Sequence, residues 1–128
     1  MVIDTSALIA ILFNEADAEQ VEAKLVDAAT RAISAVTLLE SAIVAETRLG
    51  EDGGRELELL VYKSAVEVIP FDTTQLALAR LAFRRYGKGH HRAALNFGDC
   101  IAYALARARS EPLLCKGVSF SATDIAIA

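Results

Sequence analysis

The chain reads as an α/β protein in which a short, mainly parallel sheet is covered by helices on both sides. Two observations predict this. Four short apolar segments, at residues 2–3, 31–34, 66–69 and 113–115, have the length and composition of buried strands. The stretches between them carry apolar residues at helical spacing, and strands separated by helices are joined by crossovers that make them parallel. No linker, repeat or low-complexity segment interrupts the 128 residues. Residues 1–128 are therefore expected to form one domain with a sizeable core.

Val2 and Ile3 make the first strand, and an apolar helix over residues 7–13 follows at once. A second helix is expected over 17–28, with the break near Asn14. Residues 31–34 form the second strand, and Ser34 or Thr37 opens a helix that Gly50 stops near Leu49. Gly53-Gly54 reads as a turn before a helix over about residues 55–64. The third strand, 66–69, closes at Pro70, and Thr73 or Thr74 caps a long helix to about Tyr86. Gly87-Lys88-Gly89 reads as a flexible break. Residues 93–97 then lead into Gly98-Asp99 and an apolar helix to about Ala108, and the last strand ends before Gly117.

At 54% apolar the composition is slightly rich for a soluble domain. Part of that surplus is helical Ala and Leu, and part points to surface reserved for a partner. No signal-peptide or lipidation pattern is present, and the apolar run 7–13 is too short to span a bilayer. The expectation is a cytoplasmic protein without membrane contact. Cys100 and Cys115 lack metal-ligand spacing and read as two buried thiols. The net charge of −4 argues against a general nucleic-acid coat protein. Residues 80–92 nevertheless hold five bases, Arg80, Arg84, Arg85, Lys88 and Arg92, with His90 and His91 and no acid. Such a patch suits a phosphate backbone, although an arginine-rich helix face also serves simply as solvated surface.

The chemistry rests on carboxylates at strand-to-helix junctions. Asp4 follows the first strand, where an aspartate also serves as a helix cap. Glu40 completes Thr37-Leu38-Leu39-Glu40, which matches a capping box. Asp99 opens an apolar, buried helix, where an acid is costly unless something binds it. Asp124 sits near the chain end, where an exposed tail acid or a helix cap is the ordinary explanation. Parallel topology puts such junctions on one rim of a sheet. Carboxylates crowded there repel one another unless a cation neutralises them, and an all-oxygen site selects Mg²⁺ or Mn²⁺ over zinc. An ion of this kind activates water for attack on a phosphodiester.

Four segments together resemble a known family. Val2-Ile3-Asp4-Thr5-Ser6-Ala7-Leu8 is similar to the opening of PIN domains, in particular the VapC toxins of bacterial toxin–antitoxin pairs. Leu39-Glu40-Ser41-Ala42, Leu95-Asn96-Phe97-Gly98-Asp99-Cys100 and Pro112-Leu113-Leu114-Cys115-Lys116-Gly117, the last with Phe120 and Thr123-Asp124-Ile125, match in order across almost the whole chain. The resemblance implies a three-layer α/β/α PIN-like fold and a ribonuclease dependent on Mg²⁺, with Mn²⁺ as substitute. It implies a catalytic site of Asp4, Glu40 and Asp99, with Asp4 and Asp99 as the metal ligands and Thr5 and Ser6 in support. It also implies an RNA substrate, with tRNA as first candidate, a VapB-like antitoxin, and a homodimer that forms a heterotetramer or larger with the antitoxin. Arg84, Arg85 and Lys88 are the expected substrate-binding residues from the basic stretch.

One position departs from the pattern. Relatives usually carry an acid directly before the terminal phenylalanine, where this chain has Ser119 before Phe120. A serine there can still support a metal-bound water. The expectation is one tightly held ion, a weakened second, and reduced but retained nuclease activity. The competing reading is a PIN module that binds its antitoxin or RNA without efficient cleavage. A phosphotransferase with Asp4 as nucleophile wants a second aspartate two residues on, where Ser6 stands.

Overall fold

The computed structural model describes residues 1–128. Its elements run β1 (Val2–Ile3), α1 (Thr5–Leu12), α2 (Ala18–Asp27), β2 (Ala32–Ser34), α3 (Ala35–Leu49), α4 (Glu51–Lys63), β3 (Glu67–Ile69), α5 (Thr73–Tyr86), α6 (Phe97–Arg109) and β4 (Leu113–Leu114), with a 3-10 turn at Phe120–Ala122. All four expected strands are present. They form one parallel sheet in the order β3-β2-β1-β4. The C-terminal tail adds a parallel bridge from Ile127 to Leu113.

Alternation along each strand divides the core in two. Ile3, Ile33 and Leu114 pack with Leu8, Leu25, Ala45 and Leu57 from α1 to α4. Val2 and Leu113 point the other way, into a cluster with Ala82, Tyr103 and Leu105 from α5 and α6. The result is the expected α/β/α sandwich. From β1 the chain moves outward to β2 and β3, then returns to place β4 on the other side of β1. That reversal makes the carboxyl end of β1 a topological switch point, where open α/β sheets bind ligands.

Several local expectations are corrected. Gly53 and Gly54 are not a turn but lie inside α4, both buried. A Cβ on Gly53 would run into the Ala45 carbonyl and the Leu49 side chain of α3, and one on Gly54 into Glu46. The pair lets α3 and α4 approach closely, and the turn falls at Gly50, whose φ of +64° suits glycine. Thr37-Leu38-Leu39-Glu40 is not a capping box. The helix begins earlier, at Ala35, and the Ser34 side chain caps it by accepting from the Val36 N–H at 3.2 Å. The break at residues 87–89 is ordered: Lys88 N–H donates to the Leu95 carbonyl and Leu95 N–H to the Tyr86 carbonyl, both at 2.9 Å. Cys100 is buried as expected, whereas Cys115 is only half-buried.

Candidate active site

Asp4 leaves β1 with its N–H bonded to the Leu114 carbonyl at 2.9 Å and becomes the N-cap of α1. Its Oδ2 accepts from the Ser6 N–H at 3.0 Å and from the Ser6 hydroxyl at 2.6 Å. Ser6 Oγ in turn accepts from the Lys116 N–H at 2.9 Å. The loop after β4 thus fixes Ser6, and Ser6 fixes Asp4. Freed from any capping duty, Glu40 turns toward α1, where Thr5 Oγ1 donates to its Oε1 at 2.6 Å. Ser41, fully buried one position on, sets its hydroxyl against Thr5 Oγ1 at 3.2 Å and the Thr37 carbonyl at 2.9 Å.

Asp99 is held by a true capping box. Asn96 Oδ1 accepts from the Asp99 N–H at 2.9 Å, and Asp99 Oδ2 accepts from the Asn96 N–H at 3.0 Å. Gly98 sits against the Glu40 carboxylate so closely that a Cβ would occupy the space of its oxygens. Any side chain at 98 would push α3 and α6 apart at the point where their acids converge.

Asp4, Glu40 and Asp99 line one cleft of about 250 Å³, together with Thr5, Ser6, Ile9, Val44 and Asn96. No base lines it, and every ion pair of the molecule lies elsewhere. Each carboxylate has one oxygen held by the hydrogen bonds above, while Asp4 Oδ1, Glu40 Oε2 and Asp99 Oδ1 accept none. Asp4 is 5% exposed. Burial pushes its pKa up to about 6, against the lowering effect of the Ser6 hydrogen bonds and with the charges of Asp99 and Glu40 adding to the rise. Burial also raises Asp99, opposed by the Asn96 hydrogen bond and reinforced by Glu40. Asp4 and Asp99, both shifted against ionisation and offered with Glu40 as oxygen donors, suit a hard divalent cation. The three do not stand close enough together to form a ready-made ligand cluster. Cys115, beside the cleft, is no nucleophile: burial first, then Asp4 and Asp99, push its thiol up to about 11.

The remaining candidates fall outside the cleft. Arg84, Arg85 and Lys88 are exposed and form no ion pair. Arg84 and Arg80 border an apolar groove of about 520 Å³, whose lining residues Phe97 and Cys100 alternate along the start of α6 with Asn96 and Asp99 of the acidic cleft. Ser119 is exposed on the 3-10 turn and its side chain caps nothing. Asp124 is structural: it accepts from the Tyr103 hydroxyl at 2.7 Å and pairs with Arg107 at 3.4 Å. A larger concavity of about 980 Å³ between α3, α4 and β3 is mostly apolar and holds none of the candidate catalytic groups. Sequence reasoning gave no role to Asn96, Ser41 or the Lys116 backbone. The spacing of Asn96 and Asp99 carried a readable capping signal; nothing local marked the other two.

Residues 1–126 match the family model of the PIN domain. The chain belongs to the PIN-domain family. The Ribonuclease VapC of Mycolicibacterium smegmatis is 54% identical over 126 residues, 98% of each chain. Ribonuclease VapC30 of Mycobacterium tuberculosis is 51% identical over 126 residues, 98% of this chain and 96% of its own. Among solved structures, M. tuberculosis VapC20, described as a Sarcin-Ricin loop cleaving toxin, gives a TM-score of 0.82 at 16% identity, covering 99% and 97% of the two chains. The DNA-bound VapBC of Salmonella typhimurium gives 0.72 at 22%, covering 99% and 95%. These structural likenesses establish the PIN fold, and the sequence relatives place the chain beside VapC ribonucleases.

Proposed function

We propose that this PIN domain is a divalent-metal-dependent endoribonuclease, the toxin of a VapBC-type pair. One observation carries the reading: three carboxylates on three separate elements share a cleft at the switch point that no basic residue lines, each with one oxygen anchored and the other unclaimed. Asp4 and Asp99 are the residues suited to hold the ion, since both are anchored at helix N-termini beside the sheet. A bound Mg²⁺ or Mn²⁺ would supply an acidic water and neutralise charge on the scissile phosphate. Glu40, steadied by Thr5, is the carboxylate placed to orient an attacking water and to accept its proton. Ser6 and Asn96 restrict the rotation of Asp4 and Asp99, so little ordering is left to the moment of reaction.

The printed names of the sequence relatives support ribonuclease activity, and the structural neighbours titled as toxin–antitoxin complexes support a VapB-like antitoxin. Exposed Leu39, Tyr62 and Val68 along the α3–α4–β3 concavity offer apolar surface for a protein partner or a second copy of the chain. No helix is long and apolar enough to cross a membrane, which fits the proposal that the protein acts in the cytoplasm on RNA, with tRNA as first candidate. Ser119 adds no side-chain contact to the cleft, which fits a centre built around one ion.

Expression with and without the neighbouring reading frame, followed by mapping of cleaved RNA ends, tests the proposal. Growth arrest and new RNA ends are expected for the chain alone. Asp4→Ala, Asp99→Ala and metal chelation should each abolish cleavage. Cleavage that survives any of the three overturns the assignment of the site.

A further inference from the structure

The acidic cleft extends beyond its carboxylates along two helices. On α1, Thr5 and Ile9 line it, and Phe13 follows one turn later as the C-cap. On α3, Glu40 and Val44 line it, and Arg48 follows one turn later. Residues four apart share a helix face, so the two rows run in register, acid first, apolar next, and an aromatic–cation pair last. The Arg48 guanidinium lies over the Phe13 ring, 4.7 Å from its centre. Arg48 lies eight positions beyond Glu40, about 12 Å along the helix axis.

Arg48 has no other partner. Outside residues 80–92, it and Lys63 are the only Lys or Arg side chains that meet neither a carboxylate nor a backbone carbonyl. A base in the last turn of a helix complements the helix dipole, but that effect needs no aromatic support. The cation–π contact braces the guanidinium one turn beyond the cleft lining while its N–H groups make no hydrogen bond to the protein, an arrangement suited to phosphate oxygens. The electrostatics call for such a group. Three carboxylates repel a polyanion, so a strand that brings a phosphate to them needs cations beyond the acidic zone.

We infer that Arg48, braced by Phe13, is a substrate-positioning residue that holds a backbone phosphate of the RNA a few nucleotides from the cleavage point. The inference rests on the ribonuclease reading, which supplies the polyanion. It places a phosphate contact on the α1–α3 side of the centre, separate from the basic stretch on α5.

The test uses the full chain with metal chelated and a labelled, mixed-sequence, single-stranded oligoribonucleotide as probe. Arg48→Gln should weaken binding several-fold and reduce the log–log salt slope by about 0.7, the value for one phosphate contact on a single strand. Arg48→Lys should restore the slope, and Phe13→Leu should weaken binding while keeping it. With metal restored, Arg48→Gln should raise KM and leave kcat unchanged. A side chain that merely shields Phe13 would lower thermal stability without moving the slope. Equal slopes for wild type and Arg48→Gln, or a loss confined to kcat, overturn the inference. Asp99→Asn separates the two readings: if it cleaves as wild type does, the assignment of the acidic cleft as the catalytic site fails, while an Arg48-dependent slope in the chelated protein still stands.

Discussion

Asp4→Asn should make the metal-free protein more stable while destroying its activity. Asp4 is 5% exposed and its pKa rises from 3.8 to about 6 on folding, chiefly through burial. At neutral pH the folded protein therefore holds a carboxylate that the environment resists ionising. Between those two pKa values the native state binds the proton more tightly than the unfolded chain, so stability falls as pH rises through the window and stays lowered above it. A rise of about two pH units corresponds to about 3 kcal/mol. Asparagine carries no charge to desolvate, and its side-chain oxygen caps a helix about as well as aspartate does. It keeps the acceptor for the Ser6 N–H and hydroxyl. Urea denaturation in chelator should show the variant more stable by about 2–3 kcal/mol at about pH 8, with the gap closing as pH falls toward 4. Saturating Mn²⁺ should stabilise wild type and leave the variant nearly unchanged, which narrows or reverses the order. A variant no more stable than wild type in chelator at about pH 8 would refute the idea that the site stores an uncompensated charge.

Other expected outcomes follow from particular contacts. Gly98→Ala should abolish RNA cleavage with a cooperative fold retained, because its Cβ displaces the Glu40 carboxylate; intact cleavage would mean that the α3–α6 approach is dispensable. Gly53→Ala, far from the cleft, should instead cost about 1–3 kcal/mol in a denaturation curve by overpacking α3 against α4. Neutralising Arg84, Arg85 and Lys88 together should weaken RNA binding and flatten its salt dependence; an unchanged slope would make that stretch a solvated surface. Ser119→Ala should leave cleavage unchanged, and Mn²⁺ titration of wild type should give a single tight ion, since the exposed serine caps nothing and lies outside the cleft lining.

The strands were legible as short apolar runs; the sheet buries β1, β2 and β4 almost completely, as at Val2, Ile3, Ile33 and Leu113, whereas the edge strand β3, expected to be buried, is mostly exposed. Helix starts were less legible. Ser34 and Thr37 both precede helical spacing, and only the strand's end decides between them: once β2 finishes at Ser34, that hydroxyl meets the Val36 N–H. Gly53-Gly54 misled because the same residue type serves tight turns and tight helix contacts, and the second use depends on a neighbour, α3, that no local pattern announces. Cys115 was half misjudged for the same reason, since burial of a rim residue depends on what covers the rim.

Asp4, Glu40 and Asp99 stood out in the sequence as acids expected at strand-to-helix junctions; that holds for Asp4 after β1 and for the helix of Glu40 after β2, whereas Asp99 opens α6, which follows α5 with no strand of the sheet between them. The first two placements are a consequence of backbone geometry, which a single chain encodes locally. Their use was a tertiary matter. Glu40 is available because Ser34 caps its helix, Asp4 is oriented because the loop after β4 reaches Ser6, and the α3–α6 approach depends on Gly98 leaving room for a carboxylate. The row from Glu40 to Arg48 likewise acquires meaning only when it lies beside the row from Thr5 to Phe13. Pairings between groups distant along the chain are set by packing, and packing is what local pattern cannot carry.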